Sequence, residues 1–237
     1  MTPSIRFEHV RKLFGQVVAV DRVDVSIEPG TFVGLIGHNG AGKSTCLRML
    51  MGLLRPSEGQ VFVDGVDTAA EPLKARMRLG AVPEEPALYE YLTAREFLEF
   101  VAEVRGAPDI ADELALTGLG SDADRMIREY SQGMRRKTAL AAAMLGDPSV
   151  LVLDEALNGL DPPSAARVKA ALRAAVDRGR TVLLSTHVVE TVQAVSDRVI
   201  MLAHGRVVAD EETSALGDQG LEQLFLERLA ESASRDA

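Results

Sequence analysis

Cysteine is almost missing from this chain, with one residue, Cys46, among 237. A disulfide framework is therefore excluded, and a reducing compartment fits. Cys46 stands beside Leu47, Met49 and Leu50, where a thiol serves as a small apolar packing residue. Long hydrophobic runs are missing as well. A membrane-spanning helix needs about 18 uninterrupted apolar residues, and the longest candidates, Ala139–Leu145 and Val150–Leu153, fall far short, so no span is expected. The segment Met1–Lys12 carries Arg6, Glu8, Arg11 and Lys12 and lacks the apolar stretch of a signal peptide, so a cytoplasmic location is expected. Basic residues are in deficit, 26 Lys and Arg against 35 Asp and Glu, for a net charge of −9. That balance argues against nucleic acid as the main partner, because neutralising phosphates takes clustered Lys and Arg. No internal repeat or low-complexity segment is present. What remains, 46% hydrophobic and 26% charged residues, is an ordinary globular composition, long enough for one α/β domain carrying an insertion.

Glycine is placed where it matters. Gly37-His38-Asn39-Gly40-Ala41-Gly42-Lys43-Ser44 follows the apolar run Thr31–Ile36, precedes the apolar-rich run Cys46–Leu54 and fits G-x-x-x-x-G-K-[ST] in a strand-to-helix setting. Glycines let successive backbone amides close around a phosphate, since a Cβ would block the approach. The helix starting near Gly42 adds its positive end. Lys43 is expected to reach the β and γ phosphates, the Ser44 hydroxyl to ligate Mg²⁺, and the amides around Gly40–Thr45 to supply most of the grip.

Short β-rich runs at Ile5–Val10, Val23–Ile27, Thr31–Ile36 and Gln60–Val63 bracket this loop, with turns at Glu28-Pro29-Gly30 and Pro56–Gly59. The sheet is expected to start before the nucleotide site and resume after it, in an α/β P-loop NTPase fold with a parallel core sheet and an N-terminal antiparallel β region. From Thr93 to about Leu145 the periodicity becomes helical, with Phe97, Leu98, Val101, Ala102 and Val104 on one helix and a second over Arg135–Leu145, an inserted helical lobe. Val150–Leu153, Ala165–Val176, Thr181–Ser185 and Val188–Val195 alternate strand and helix, which implies a parallel sheet. Val199–Leu202 and Arg206–Ala209 read as a hairpin around His204-Gly205, and Ser232–Ala237 as a frayed tail. The division expected is a catalytic lobe over 1–84 and 146–230, a helical lobe over 85–145 and a tail over 231–237.

Val150-Leu151-Val152-Leu153 delivers two carboxylates, Asp154 and Glu155, to a strand end, where ligands of parallel sheets sit. Asp154 is placed to hold the Mg²⁺ shell, and Glu155 to polarise or deprotonate the water attacking the γ-phosphate. His187 follows the next strand and is expected to bond the γ-phosphate or that water. His9, His38 and His204 carry no comparable signal from their positions.

Together these residues resemble the nucleotide-binding subunits of ABC transporters, over about residues 4–229. Tyr130-Ser131-Gln132-Gly133-Met134, ahead of a helix, looks like the family's L-S-G-G-Q signature, matching strictly at Ser131 and Gly133. The resemblance implies an ATP hydrolase with Mg²⁺ as cofactor, bound by Ser44, Glu84 and Asp154. Two subunits, this chain with a second copy or a homologue, would stack head to tail so that the signature of one caps the nucleotide on the other. It also implies Asn158-Gly159-Leu160-Asp161 as the loop across the dimer and Phe14 as the aromatic stacking on adenine. His38, Asn39 and Ala41 would join the glycines of the nucleotide-binding loop. Two departures stand out: Glu84 replaces the family's usual Gln, with altered metal dependence expected, and Ala156-Leu157 replaces the common Pro-Thr.

The resemblance further implies a separate membrane permease, whose coupling helix would enter a groove around Glu84–Glu99. There Leu88, Tyr89, Tyr91 and Leu92 stand beside Glu84, Glu85 and Glu90, which suits an amphipathic, basic helix. Leu221–Leu229 resembles the closing helix of exporter-type members of the drug and antibiotic-resistance class, with no regulatory domain expected after it. The chain would thus lie on the cytoplasmic face of the membrane and power transport, with export favoured over import. The alternative is a non-transport ABC ATPase acting on a soluble partner complex. A module that barely hydrolyses is disfavoured by the paired Asp154 and Glu155, and DNA-acting members by the acidic charge.

Overall fold

The computed structural model describes residues 2–216 together with Leu221, Gln223, Leu224 and Glu227. Ten strands and seven α-helices are defined among them, in two sheets. Strands β1 (Ile5–Phe14), β2 (Val17–Ile27), β4 (Glu58–Val63) and β5 (Val66–Asp67) form an antiparallel sheet in the order β2-β1-β4-β5. A second sheet runs β10-β9-β3-β8-β7-β6, built from β3 (Phe32–Ile36), β6 (Leu79–Val82), β7 (Val150–Asp154), β8 (Thr181–Ser185), β9 (Arg198–Ala203) and β10 (Arg206–Glu212). All its neighbours are parallel except the β9–β10 hairpin.

The expected N-terminal antiparallel region is present: Ile5–Val10, Val23–Ile27 and Gln60–Val63 fall in the antiparallel sheet, and of the strands bracketing the glycine-rich loop only β3 enters the parallel one. The reason lies in burial. All five residues of β3, of β7 and of β8 are buried, as layers on both faces of a parallel sheet require. In contrast, β1 and β2 alternate buried and accessible positions, one face against the core and one toward solvent. Both extend beyond the expected bounds because irregular pairing carries the polar Arg11 and Lys12 into the ladder.

Helix α1 (Lys43–Leu50) is sandwiched between the sheets, where Cys46, Leu47 and Leu50 join Ile5, Val25, Leu35 and Ile200 in one apolar cluster. Burial pushes the Cys46 thiol up to about 12. After β4 come α2 (Pro72–Arg78), α3 (Ala94–Arg105), α4 (Ala111–Thr117) and α5 (Gln132–Met144); α2 and α4 were not anticipated. From α3 onward, the helices and the turns between and after them hold a core of their own, with Phe97, Leu98, Ile127, Tyr130 and Leu145. A reciprocal capping box starts α3: Thr93 Oγ1 accepts the Glu96 amide at 3.1 Å while the Thr93 amide donates to Glu96 at 2.8 Å. Helix α5 lies so close to β6 that a Cβ on Gly80 would sit 1.9 Å from the Ala143 carbonyl.

Crossover helices α6 (Pro162–Asp177) and α7 (Val189–Val195) complete the α/β layers. No helix among the described residues is long and apolar enough to cross a membrane. Of the expected helix Leu221–Leu229, the four described residues are helical and Leu221 is fully buried against Ile36, Val192 and Met201. The rest of that segment and the expected tail over 231–237 lie outside the described residues.

Candidate active site

β3 ends at Ile36, and the chain turns through Gly37–Gly42 before α1 begins at Lys43. Two glycines are compelled by space and angle. A Cβ on Gly37 would lie 2.4 Å from the Leu202 carbonyl oxygen; Gly42 has φ +105 and would place one 2.7 Å from that of Ala19. Gly40, at φ +83, has open space where its Cβ would be. Lys43, buried, folds back over the loop, Nζ donating to the carbonyls of Gly37 at 2.7 Å and His38 at 3.3 Å. The loop thus encircles an ammonium placed to exchange those carbonyls for phosphate oxygens. A cleft of about 440 Å³ opens here, lined by Asn39 through Thr45, Ala19, Glu84 and Glu155. Residues 39–45 of the loop, Glu84 and, more than 100 positions further along the chain than the loop, Glu155 share one space.

β7 carries Asp154 and Glu155 to its rim. Asp154 is buried and accepts a hydrogen bond on Oδ1 from the Ser185 hydroxyl, its partner in the β7–β8 register. Glu155 leaves the strand with φ +50, a left-handed angle costly for a side chain of this kind. Its amide reaches the Ser185 carbonyl at 3.1 Å. Its carboxylate is held from two sides: Asn158 Nδ2 donates to Oε2 at 2.7 Å, and His187 Nδ1 lies 3.2 Å from both oxygens. Facing a carboxylate, Nδ1 carries the proton, so Nε2 offers a lone pair in the neutral ring and a donor only in the charged one. The His187 side chain is 59% exposed and that of Glu155 11%, so the imidazole sits on the solvent side of a sheltered carboxylate.

Ser131 caps α5, its Oγ accepting the Met134 amide at 3.3 Å. Ser131, Gln132, Gly133 and Met134 do not line the cleft of their own chain. Gly133 instead abuts the loop after Glu155, where its Cβ would come 3.3 Å from the Gly159 carbonyl oxygen. Asp161 caps α6 through Oδ1 and the Ser164 amide at 2.9 Å; the Ser164 side chain and amide hold its carboxyl below the usual range. Phe14 stands half exposed at the β1 end with Lys12 Nζ 5.1 Å from its ring centroid, outside the lining of the cleft. His38 Nδ1 lies 2.7 Å from the Asn39 carbonyl, so that residue braces the loop.

Three participants escaped the sequence. Ser185 was legible in principle, as a hydroxyl ending the apolar run of β8. Asn158 had been assigned only a place in a loop across the dimer. Arg136, on α5, donates to the carbonyls of Asn158 and, at 3.3 Å, Glu84; nothing local marks it among Arg135, Arg136 and Lys137.

Known proteins share this arrangement. The family model described as ABC transporter matches residues 20–158. The daunorubicin/doxorubicin resistance ATP-binding protein DrrA of Streptomyces peucetius is 37% identical over 99% of this chain and 73% of its own length. The ABC transporter ATP-binding protein NatA of Bacillus subtilis is 34% identical over 98% and 97%. Among solved structures, an ATP binding subunit of an ABC transporter superposes with a TM-score of 0.88 at 28% identity, covering 94% of this chain and 98% of that one. A dimeric post-hydrolysis state of the ATP-binding cassette MJ0796 bound to ADP and Pi gives 0.81 at 27%, covering 88% and 98%. With a family model matched across more than half its length and relatives at 34% and 37% identity covering nearly all of it, this chain belongs to the ABC transporter family.

Proposed function

We infer that this chain is the ATP-binding and ATP-hydrolysing subunit of an ABC transporter. The observation that carries this reading is the Glu155 carboxylate, held by Asn158 and His187 on the cleft that the Gly37–Ser44 loop and Lys43 also line. In the mechanism, loop amides and the start of α1 hold the β and γ phosphates, and Lys43 leaves the Gly37 and His38 carbonyls for phosphate oxygens. Glu155 accepts the proton of the attacking water, and His187, held against Glu155, hydrogen-bonds the γ-phosphate or that water. Positioning and charge neutralisation supply most of the acceleration in phosphoryl transfer, which suits a site whose groups are fixed by hydrogen bonds.

The oxygen donors of Ser44, Asp154 and Glu84 suit a hard divalent cation such as Mg²⁺. Asp154 supports this, since Ser185 engages one of its oxygens and leaves the other for a ligand. Among the described residues no three His, Cys, Asp or Glu side chains are grouped as a metal site, so nucleotide phosphates and water would complete the shell. Mg²⁺, when bound, neutralises charge developing on the phosphates. Phe14 is assigned to the adenine.

The working unit is a head-to-tail dimer of this chain with a second copy or a homologue, Ser131–Met134 of each facing the other's nucleotide and Asp161 lying in the loop between them. The dimeric form of the MJ0796 cassette supports it. The two-lobed division, 1–84 with 146–230 against 85–145, supplies the closing motion. A membrane permease receives that motion and keeps the subunit on the cytoplasmic face. Export is favoured because relatives serve daunorubicin resistance and Nod factor export; the same relatives disfavour a clamp acting on a soluble partner.

Glu155→Gln keeps the shape of the side chain and removes the base. Steady-state ATP hydrolysis should fall at least about a hundredfold with nucleotide affinity retained. Hydrolysis near the parent rate would overturn the assignment. The same variant, trapped with MgATP and recovered from detergent-solubilised membranes, should bring a polytopic membrane protein with it.

A further inference from the structure

Among the described residues, the Arg136 side chain bridges the loop bearing Glu84 and the loop that follows Glu155. It projects from the first turns of α5, five residues after Ser131. One guanidinium nitrogen donates to the Asn158 carbonyl and the other, at 3.3 Å, to the Glu84 carbonyl. The loop it touches lies close by: a Cβ on Gly159 would come 3.7 Å from Arg136 Nη1. Asn158 in turn donates its side-chain amide to Glu155 Oε2 at 2.7 Å. An unbroken series of donors therefore runs from α5 to the catalytic carboxylate, each link a hydrogen bond between groups of fixed geometry.

We propose that Arg136 is a positioning residue for hydrolysis, setting the Glu155 carboxylate through Asn158 and tying that setting to the Glu84 loop. The planar guanidinium suits this task because its two arms reach two carbonyls at a set spacing, which a single ammonium cannot do. With Asn158 released, its amide no longer holds Oε2, and only His187 orients the carboxylate. Glu155 is then misplaced relative to the attacking water, a fault that strikes the chemical step and spares nucleotide binding, since Arg136 lies outside the lining of the cleft. A shift of α5 that withdrew Arg136 from either carbonyl would have the same effect, so the base is correctly set only when α5, the Glu84 loop and the Asn158 loop are in register.

This rests on Glu155 being the base, and a double-mutant cycle with Asn158 tests it. Arg136→Gln should lower kcat for ATP about tenfold with KM within about twofold, and Asn158→Ala should do the same. The double variant should be no slower than the slower single, because both remove one linkage. Arg136→Lys, able to serve one carbonyl, should restore kcat to within about threefold of the parent without reaching it. A kcat for Arg136→Gln within twofold of the parent, a double variant slowed by the product of the singles, or a rise in KM in place of the fall in kcat would overturn the proposal. Should circular dichroism show Arg136→Gln unfolded, Arg136→Lys decides alone: a kcat at the parent level overturns the proposal. Glu155→Gln, run alongside, separates the two ideas, since its retained activity defeats the base assignment and its inactivity leaves any failure with Arg136.

Discussion

Glu155 is the residue where local cost and function meet. Its φ of +50 is strained for a side chain with a Cβ, and the angle lets the chain end β7 with Asp154 buried and still present the next carboxylate to the cleft. Glu84 lines that same cleft, so two carboxylates, Glu84 and Glu155, share it with the phosphate loop. A charged oxygen ligand binds a divalent cation more strongly than an amide oxygen, yet it cannot donate a hydrogen bond to water or phosphate. Glu84→Gln should therefore raise the Mg²⁺ concentration for half-maximal ATP hydrolysis by about threefold or more. Titrating hydrolysis against MgCl₂ checks this, and unchanged metal dependence together with an unchanged rate would count against Glu84 as a ligand.

At the scale of elements, β6 and α5 meet backbone to backbone at Gly80. Gly80 has the Ala143 carbonyl where a Cβ would go, and the Leu151 side chain 2.7 Å away. Backbone, not a flexible side chain, blocks the space, so α5 or β6 must move to admit a methyl group. Gly80→Ala should cost about 2 kcal/mol or more in urea unfolding, and because α5 carries Ser131 and Arg136, hydrolysis should fall in the fraction that remains folded. Legibility differed among the elements for physical reasons. β3, β7 and β8 were plain as unbroken apolar runs because both their faces are covered. The outer halves of β1 and β2 were hidden because polar Arg11 and Lys12 interrupt the one and exposed Val17 and Val18 begin the other, so neither shows the buried-face alternation that marks a strand. Capped by Asp161, α6 begins at Pro162, three residues ahead of the expected Ala165, because the cap and two prolines extend its first turn.

For the whole molecule, the telling surface is a second cleft, about 360 Å³, between the parallel sheet and the helices that follow β4. Leu79, Ala81, Pro83, Leu88, Phe97 and Ala139 are among its lining. Tyr89 and Tyr91 stand 59% and 78% exposed nearby, Tyr89 edge-on to Phe100 at 5.6 Å and Arg128 5.8 Å from the Tyr91 ring. Exposed aromatics beside an apolar cleft fit the docking of an amphipathic helix. Replacing both tyrosines with alanine should reduce co-purification of the permease about tenfold or more while leaving nucleotide affinity within about twofold. Undiminished co-purification would place the contact elsewhere.

Chemistry that depends on neighbours along the chain was written in the sequence. The glycines, Lys43 and Ser44 of the phosphate loop, the carboxylates ending β7, the helix cap at Ser131 and the lack of any membrane span all follow from short-range spacing. Contacts between residues distant in the chain were not, because hydrogen bonds across 20 to 160 positions leave no periodic trace. The clasp of Glu155 by His187, the bond of Ser185 to Asp154 and the reach of Arg136 to Asn158 and Glu84 became visible only when packing brought their backbones together.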